Sequence, residues 1–300
     1  MDLIMDARGI SKSYKNNVVL DDFNMKVYRG DVYGFVGKNG AGKTTFLRIL
    51  LGLANANRGN ISLFGSKDMR ELYHNRKSIS GIIEMPAFYS HMSADENLTA
   101  YCYLRGINKA RIKPSLEKVG LYGVGRKKVG KFSLGMKQRL GIARAICGDS
   151  SFVILDEPTN GLDPNGIVEF RELIDRLNKE NGITFIISSH YITELQKIST
   201  RFGLLANGQI MEEITAGELK QKTNSSLEIK LSDIALGLET LQLLFNDVHY
   251  NKHNDSILMS NENIDMGKIF ASLSQKGIEV QDVKTTSSGA EEYILSVIGR

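Results

Sequence analysis

The clearest chemical signal in this sequence comes from nine consecutive residues, Gly37-Lys38-Asn39-Gly40-Ala41-Gly42-Lys43-Thr44-Thr45. They match the pattern G-x-x-x-x-G-K-[ST], in which glycine-rich backbone surrounds the anionic oxygens of a nucleotide. We expect Lys43 to reach the β- and γ-phosphates and the Thr44 hydroxyl to bind Mg²⁺. The alternative is a glycine-rich turn without a ligand, and the segments on either side of the loop disfavour it.

A pair of acids forms the second candidate site. Asp156 and Glu157 directly follow the apolar run Phe152-Val153-Ile154-Leu155. Ligand chemistry in α/β proteins lies at the carboxyl ends of the strands, which is where these acids fall. We expect Asp156 to hold Mg²⁺ opposite Thr44, and Glu157 to accept a proton from the water that attacks the γ-phosphate. The alternative is a solvated acidic turn.

The segment Phe132-Ser133-Leu134-Gly135-Met136 opens a predicted helix and forms a second candidate anion site. Ser133 is a favourable N-cap residue, and Gly135 allows close approach to the backbone. A helix N-terminus of this kind can bind an anion. The alternative is an ordinary capped amphipathic helix.

Two single residues complete the set of candidates. His190 follows the predicted strand Thr184–Ile187 and is placed to hydrogen-bond a γ-phosphate oxygen and the attacking water. The alternative is a structural histidine, which is common after a strand. Tyr14 precedes the phosphate loop and is a candidate for stacking on adenine. Its alternative is an ordinary exposed or core tyrosine.

The elements that must position these residues alternate between strand and helix. The run Val32–Val36 predicts a buried strand before the phosphate loop, and Thr45–Leu51 predicts a helix after it. Such alternation predicts a parallel sheet with helices on both faces. Residues 94–147 have helical periodicity and interrupt the alternation. After a polar, linker-like stretch at 223–226, the pattern resumes in βαββαβ order, consistent with a small ferredoxin-like sandwich.

Composition limits the possible partners and location. The 300-residue chain has a formal net charge of +4, which is too small to indicate nucleic-acid binding, so we expect no nucleic-acid partner. We expect Cys102 and Cys147 to be reduced core residues. No N-terminal signal peptide and no membrane-spanning run is predicted. The sequence therefore predicts a soluble, cytoplasmic protein that needs another chain for any membrane function.

In this order the motifs resemble those of the ATP-binding subunits of ABC transporters, over about residues 1–215. The resemblance implies a P-loop α/β core with a helical subdomain at about 86–147, followed by an α+β accessory domain at 216–300. It makes Gly37 to Thr45 the Walker A loop and Asp156 with Glu157 the Walker B pair. Ser133 and Gly135 then match the signature motif, Asp163 the D-loop, His190 the switch histidine and Tyr14 the adenine-stacking aromatic.

Two departures from the family pattern point to one branch of the family. The signature, usually L-S-G-G-Q, reads Phe132-Ser133-Leu134-Gly135-Met136 here, and Glu84 stands where a glutamine is usual. Both departures resemble the bacitracin and lantibiotic exporter branch, which expels peptide antibiotics and often has a C-terminal extension of this length. By the resemblance, Glu84 touches Mg²⁺ and the attacking water. The alternative for Glu84 is a solvated loop acid.

The resemblance implies a function as well as a fold. We expect an ATPase subunit that uses ATP and Mg²⁺ and drives a separate integral-membrane permease at the inner face of the cell membrane. One chain has one phosphate loop and one signature motif, so a symmetric homodimer completes both sites. The first alternative is a soluble ABC-type ATPase that acts on nucleic acid or ribosomes. A regulatory module without turnover is disfavoured, because both Asp156 and Glu157 are present.

Overall fold

The structure is a computed structural model that describes residues 2–66, 68–148, 150–223, 226–245, 248–251, 255–260, 265–286 and 289–299. The chain divides into two compact units. The first contains the residues up to Ala216 together with the C-terminal residues from Val297, and the second extends from Gly217 to Ser296. None of the described helices is both long and apolar enough to cross a bilayer.

The strands of the first unit form two sheets. Their bounds are β1 Leu3–Tyr14, β2 Asn17–Tyr28, β3 Val32–Gly37, β4 Arg58–Leu63, β5 Ile79–Ile82, β6 Phe152–Asp156, β7 Thr184–Ser189, β8 Arg201–Ala206 and β9 Gln209–Thr215. The larger sheet has the order β5-β6-β7-β3-β8-β9, and the smaller has the order β2-β1-β4. Strands β5, β6, β7, β3 and β8 pair in parallel in that order, and β9 is antiparallel to β8. The predicted parallel α/β sheet is therefore confirmed.

The helices of the first unit connect these strands. Their bounds are α1 Lys43–Leu50, α2 Met69–Asn75, α3 Ala94–Arg105, α4 Ile112–Lys118, α5 Leu134–Cys147, α6 Pro164–Asn181, α7 Ile192–Gln196 and α8 Ala216–Lys222, the last continuing into the second unit. Helices α3 to α5 lie between β5 and β6 in the chain, as the helical periodicity of residues 94–147 predicted. Every residue of β3, β6 and β7 is buried, which explains why these strands read as continuous apolar runs.

A cluster of aromatic rings fixes the helix that follows the phosphate loop. Phe46 of α1 lies 4.2 Å from Phe23 of β2 and 5.9 Å from Phe35 of β3, measured between ring centroids. All three rings are fully buried. The smaller antiparallel sheet thus packs against α1 and β3 and holds the loop between them.

The two cysteines are free thiols in the helical segment between β5 and β6, as expected. Their sulfur atoms lie 3.5 Å apart, one on α3 and the other on α5. Burial, together with the neighbouring Cys147, raises the pKa of Cys102 to about 12. The thiol therefore stays protonated and packs as a small apolar side chain.

The second unit is an antiparallel sheet with helices. Its elements are β10 Ser226–Leu231, α9 Ile234–Gln242, β11 Val248–Asn251, β12 Ser256–Ser260, α10 Met266–Gln275, β13 Val280–Thr286 and α11 Ala290–Ile298, whose last residues cluster with the first unit. The strand order is β11-β12-β10-β13. The predicted βαββαβ succession is present, and the ferredoxin-like assignment stays a prediction. Within the linker-like stretch, Asn224 and Ser225 lie outside the described residues.

Candidate nucleotide site

The larger sheet brings several candidate residues together at the carboxyl ends of its parallel strands. Because β6, β7 and β3 are parallel neighbours, their carboxyl ends meet. Asp156 at the end of β6 pairs with Ser188 of β7, and Ser189 pairs with Val36 of β3. The phosphate loop begins at the next residue of β3, Gly37. The acids, the loop and the residues after β7 therefore share one site, at the strand ends where α/β sheets bind ligands.

The loop geometry requires glycine at its last turn. Gly42 has φ 112°, a left-handed value that other residues rarely adopt. A Cβ atom at this position would also lie 2.8 Å from a methyl carbon of Leu20 and 2.9 Å from the carbonyl oxygen of Val19. Helix α1 starts at the next residue, so its free N–H groups face the loop. The loop backbone and the start of α1 thus lie together, and anion binding there stays a prediction.

Lys43 lies beneath this loop and is nearly buried. Its ammonium donates hydrogen bonds to the carbonyl oxygens of Gly37, at 2.6 Å, and Lys38, at 3.3 Å. Lys38, Asn39 and Gly40 themselves are exposed. The charge of Lys43 is therefore held at the centre of the loop, where a phosphate would meet it.

Thr44 and Asp156 form the candidate metal pair. The Thr44 hydroxyl donates to Asp156 Oδ2 at 2.8 Å, across 112 residues of sequence. A hydroxyl and a carboxylate oxygen are the hard ligands that Mg²⁺ prefers, and Mg²⁺ usually takes few ligands from the protein and the rest from phosphate and water. In the described part of the chain, no group of three or more His, Cys, Asp or Glu could hold a metal. The chemistry of the Thr44 hydroxyl and the Asp156 carboxylate fits Mg²⁺ that takes its remaining ligands from a nucleotide and water.

Glu157 lies between a cation and an imidazole. Its Oε1 atom is 3.4 Å from the Lys43 ammonium, and its Oε2 atom is 2.8 Å from His190 Nδ1. Oε1 is buried and has no hydrogen-bond partner among the described residues. The backbone of Glu157 has φ 48°, a strained value of the kind found at functional sites. This carboxylate is thus placed beside the phosphate loop, with Oε2 against His190 and Oε1 in an ion pair with Lys43.

Ser188 is a site residue that the sequence analysis missed. It is fully buried, and its hydroxyl donates to Asp156 Oδ1 at 2.6 Å and accepts from the Glu157 N–H at 2.9 Å. It therefore fixes both acids at once. A serine inside an apolar strand belongs to no motif, and only the pairing of β6 with β7 reveals its role.

We expect Ser188→Ala to destabilise the fold by about 1–3 kcal/mol, because a buried carboxylate oxygen loses its donor. Mg²⁺-dependent activity should fall about tenfold or more, since residues that orient metal ligands typically matter that much. Thermal unfolding and Mg²⁺ titration of ATPase activity would measure the two effects. Ser199→Ala is the matched control, because the buried Ser199 hydroxyl has no partner among the described residues. Equal behaviour of the two variants would contradict the assignment.

The signature-like residues open helix α5. The Ser133 side chain accepts a hydrogen bond from the Met136 N–H at 3.2 Å, so it is the predicted N-cap. A Cβ atom on Gly135 would meet only a methyl carbon of Leu162, at an ordinary 3.7 Å. The protomer itself therefore does not require glycine at position 135. No hydrogen bond found among the described residues links Ser133 to the phosphate loop of the same chain.

Asp163, the predicted D-loop residue, has a local role in the protomer. Its carboxylate caps helix α6 by accepting from the Gly166 N–H at 2.8 Å. It directly follows Leu162, the neighbour of Gly135. The predicted D-loop and the helix with the signature-like residues are thus adjacent in one protomer.

Tyr14 and Glu84 lie at the surface. Tyr14 ends β1 and is 47% exposed as a residue, and the Lys12 ammonium lies over its ring, 5.0 Å from the ring centre. An exposed ring face is what stacking on a base needs. Glu84 follows β5 with φ 60°, and its side chain is 69% exposed. The structure pairs Glu84 with Arg48 at 2.9 Å, and not directly with Thr44 or Asp156.

Comparisons with known proteins agree with this geometry. The sequence profile of the family described as ABC transporter matches residues 20–160. The bacitracin transport ATP-binding protein BcrA of Bacillus licheniformis is 40% identical over 302 residues, covering 100% of this chain and 98% of BcrA. The lantibiotic transport ATP-binding protein SrtF of Streptococcus pyogenes is 40% identical, covering 70% of this chain and 90% of SrtF.

A solved structure of an ABC transporter subunit has a similar fold. The structure of cbiO1 from Clostridium perfringens, part of the ABC transporter complex cbiONQ, superposes with a TM-score of 0.68 at 25% identity. The match covers 74% of this chain and 92% of that one. The resemblance and the P-loop fold inferred from the sequence are therefore confirmed. Since similarity to a transport ATP-binding protein extends over the whole chain, this protein belongs to the ABC transporter ATP-binding family and is an ATPase.

Proposed function

We propose that this chain hydrolyses ATP as a homodimer and drives a separate permease that expels a peptide antibiotic. The observation that carries the proposal is the end-to-end similarity to BcrA, which is named as a bacitracin transport protein. Similarity to SrtF, named for lantibiotic transport, supports the same substrate class. The alternative of an ATPase acting on nucleic acid or ribosomes is not favoured, because these relatives are transport proteins.

The hydrolytic step follows from five side chains. Lys43 would exchange the carbonyl of Gly37 and the carboxylate of Glu157 for oxygens of the β- and γ-phosphates. Glu157, still oriented by His190, would then accept a proton from the attacking water. We infer that Thr44 and Asp156 hold Mg²⁺, which would neutralise charge on the phosphates.

The homodimer completes each site. One protomer supplies the phosphate loop, the acids and His190, and its partner supplies the N-terminus of α5 with Ser133 and Gly135. Support comes from Gly135, whose open surroundings leave room for a ligand that the same chain does not fill. Release of the γ-phosphate after hydrolysis would remove the ligand that both protomers contact, and the dimer would open.

A groove in the first unit is suited to the permease. It has a volume of about 580 Å³ and lies between the end of α1, the residues before β5 and helix α3. Tyr73 and Leu104 are more than 70% exposed beside it, and Arg76, Lys77 and Arg105 give it positive charge. We infer that it takes a short cytosolic segment of the permease that carries an apolar side chain and acidic neighbours. The chain would then lie at the inner face of the membrane, in the cytoplasm.

We also infer that residues 216–300 form an accessory domain. The support is the division into compact units close to position 216. Its own apolar core includes Ile229, Leu241, Ile257 and Leu273.

The proposal can be tested by identifying the membrane protein that co-purifies with the chain, co-expressing the two and measuring inhibitory concentrations of bacitracin and a lantibiotic. We expect protection against at least one of them and loss of protection with Leu104→Glu, together with release of the ATPase from membranes. Leu243→Glu is the control, because Leu243 is equally exposed in the second unit. Unchanged sensitivity to both antibiotics in an otherwise active ATPase would refute antibiotic export.

A further inference from the structure

Arg48 is a charged residue next to the site that has no role in the mechanism above. It lies on α1 four residues after Thr44, so both side chains project from the same face of the helix. Its guanidinium donates to Glu84 Oε1 at 2.9 Å. The ion pair thus begins about one helical turn from the hydroxyl that is hydrogen-bonded to Asp156.

Strand pairing places Glu84 near the same acids. Ile82, the last residue of β5, pairs with Leu155, the residue before Asp156. Glu84 follows two residues later, at the edge where Asp156 and Glu157 lie. Three carboxylates therefore gather where a nucleotide brings further negative charge, and Arg48 pairs with the most exposed of them.

The residues before and after Glu84 in the chain both pack against helix α5. A Cβ atom on Gly141 of α5 would lie 2.7 Å from Ile82 and 3.2 Å from Pro86. Glu84 between them has a left-handed backbone, which turns its side chain away from these packed neighbours and toward α1. The position of this carboxylate is thus connected to α1 on one side and to α5 on the other.

We propose that Arg48 is a positioning residue that holds Glu84 until a divalent cation arrives with the nucleotide. Glu84 then exchanges the guanidinium for the cation. The proposal rests on the proposed function and on the family resemblance, which implies that Glu84 touches Mg²⁺ once the nucleotide is bound. An exposed pair suits this exchange, because such pairs are weak enough for a divalent cation to displace. Arg48 would thus neutralise Glu84 in the resting protein and compete with the metal for it.

Competition between Arg48 and the cation for Glu84 predicts how the affinity for divalent cations changes when Arg48 is removed. Removing Arg48 should make divalent cations bind more tightly in the presence of ADP, by about two- to sixfold for an exposed pair. Binding of ADP without metal should weaken, because Glu84 is left with an unpaired charge beside the phosphates. A residue that only supported the fold would weaken both.

The test uses the full-length protein and Mn²⁺ as the probe, with bound Mn²⁺ followed by electron paramagnetic resonance at a fixed ADP concentration. Arg48→Gln should lower the Mn²⁺ concentration at half-saturation, and Arg48→Lys should restore it most of the way. The effect of Arg48→Gln should vanish in a Glu84→Gln background. Arg29→Gln is the matched control, since Arg29 forms an exposed ion pair with Asp2 at 2.8 Å.

Two results would overturn the proposal. One is an Arg48→Gln titration that coincides with that of Arg29→Gln. The other is an effect that persists unchanged in the Glu84→Gln background, because Arg48 would then act on the metal without Glu84. A wild-type protein that binds no Mn²⁺ with ADP would instead refute the proposed function, and the positioning role with it. Thermal unfolding of each variant separates these results from a loss of fold.

Discussion

Glu157→Gln is expected to lower the rate of ATP hydrolysis by about 10²- to 10⁴-fold, the usual contribution of a general base. The amide is nearly isosteric but cannot accept the proton of the attacking water. ATP binding should persist or strengthen, because the substitution removes the carboxylate that lies 3.4 Å from the Lys43 ammonium and competes with phosphate for it. The ATP-bound dimer should therefore accumulate.

Single-turnover hydrolysis, equilibrium binding of ATP and size exclusion with Mg²⁺ and ATP would measure the three consequences. Glu117→Gln is a suitable control, because Glu117 is an exposed helical acid paired with Lys113 at 3.9 Å. It should leave turnover near the wild-type value. A Glu157→Gln variant that still hydrolyses ATP at a near-normal rate would remove Glu157 from the role of base.

The sequence predicted those parts of the site whose geometry is determined by residues that are neighbours in the chain. The phosphate loop needs only its own glycines and the start of α1, and Ser133 caps a helix that begins at the next residue. Likewise, Asp156 and Glu157 follow their strand directly. In each case the residues that define the function are adjacent in the chain, so a short pattern contains the structural information.

The parts that the sequence did not predict depend on pairing between distant segments. Ser188 joins the acids only through the register of β6 and β7. Arg48 and Glu84 are 36 residues apart and meet because β5 ends beside α1. No local pattern distinguishes either of these from an ordinary strand serine or a surface ion pair.

Some elements were missed although a local signal existed. Strand β9 follows Asn207-Gly208, a dipeptide that favours a two-residue hairpin turn. Its residues Gln209–Thr215 are largely polar and only partly buried, so the strand lacked an apolar pattern. Helix α2 begins after Asp68, whose side chain accepts from two backbone N–H groups. Here the sequence contains a typical N-cap residue, but the helix is too short to show a clear hydrophobic periodicity.

The second large effect is expected from Gly135→Asp, which should block the ATP-dependent dimer and lower turnover by about 10²-fold or more. The reason is electrostatic: in the proposed homodimer the N-terminus of α5 would offer N–H groups to the γ-phosphate held by the partner subunit, and an aspartate there would repel it. Losing donors to a developing negative charge typically costs this much in rate. Binding of ATP to dilute monomer should not change, because the monomer's own phosphate loop is untouched.

The stability of the protomer separates this mechanism from a simple folding defect. A side chain at position 135 meets only Leu162, at 3.7 Å, so the substitution has space. An acid in the first turn of a helix is favourable by about 0.3–1 kcal/mol, and replacing a helical glycine adds a few tenths. We therefore expect the melting temperature of the Gly135→Asp monomer to stay constant or rise while its dimer is lost.

Gly123→Asp provides the matched control: Gly123 lies between α4 and α5, outside the N-terminus of α5, and no atom lies within 4 Å of the new Cβ. It should dimerise and hydrolyse ATP like the wild type. Size exclusion with Mg²⁺ and ATP, in a Glu157→Gln background that accumulates the dimer, compares the two variants directly. If Gly135→Asp dimerises as well as Gly123→Asp, or if its monomer loses ATP affinity, then the N-terminus of α5 does not act on the nucleotide of the partner subunit.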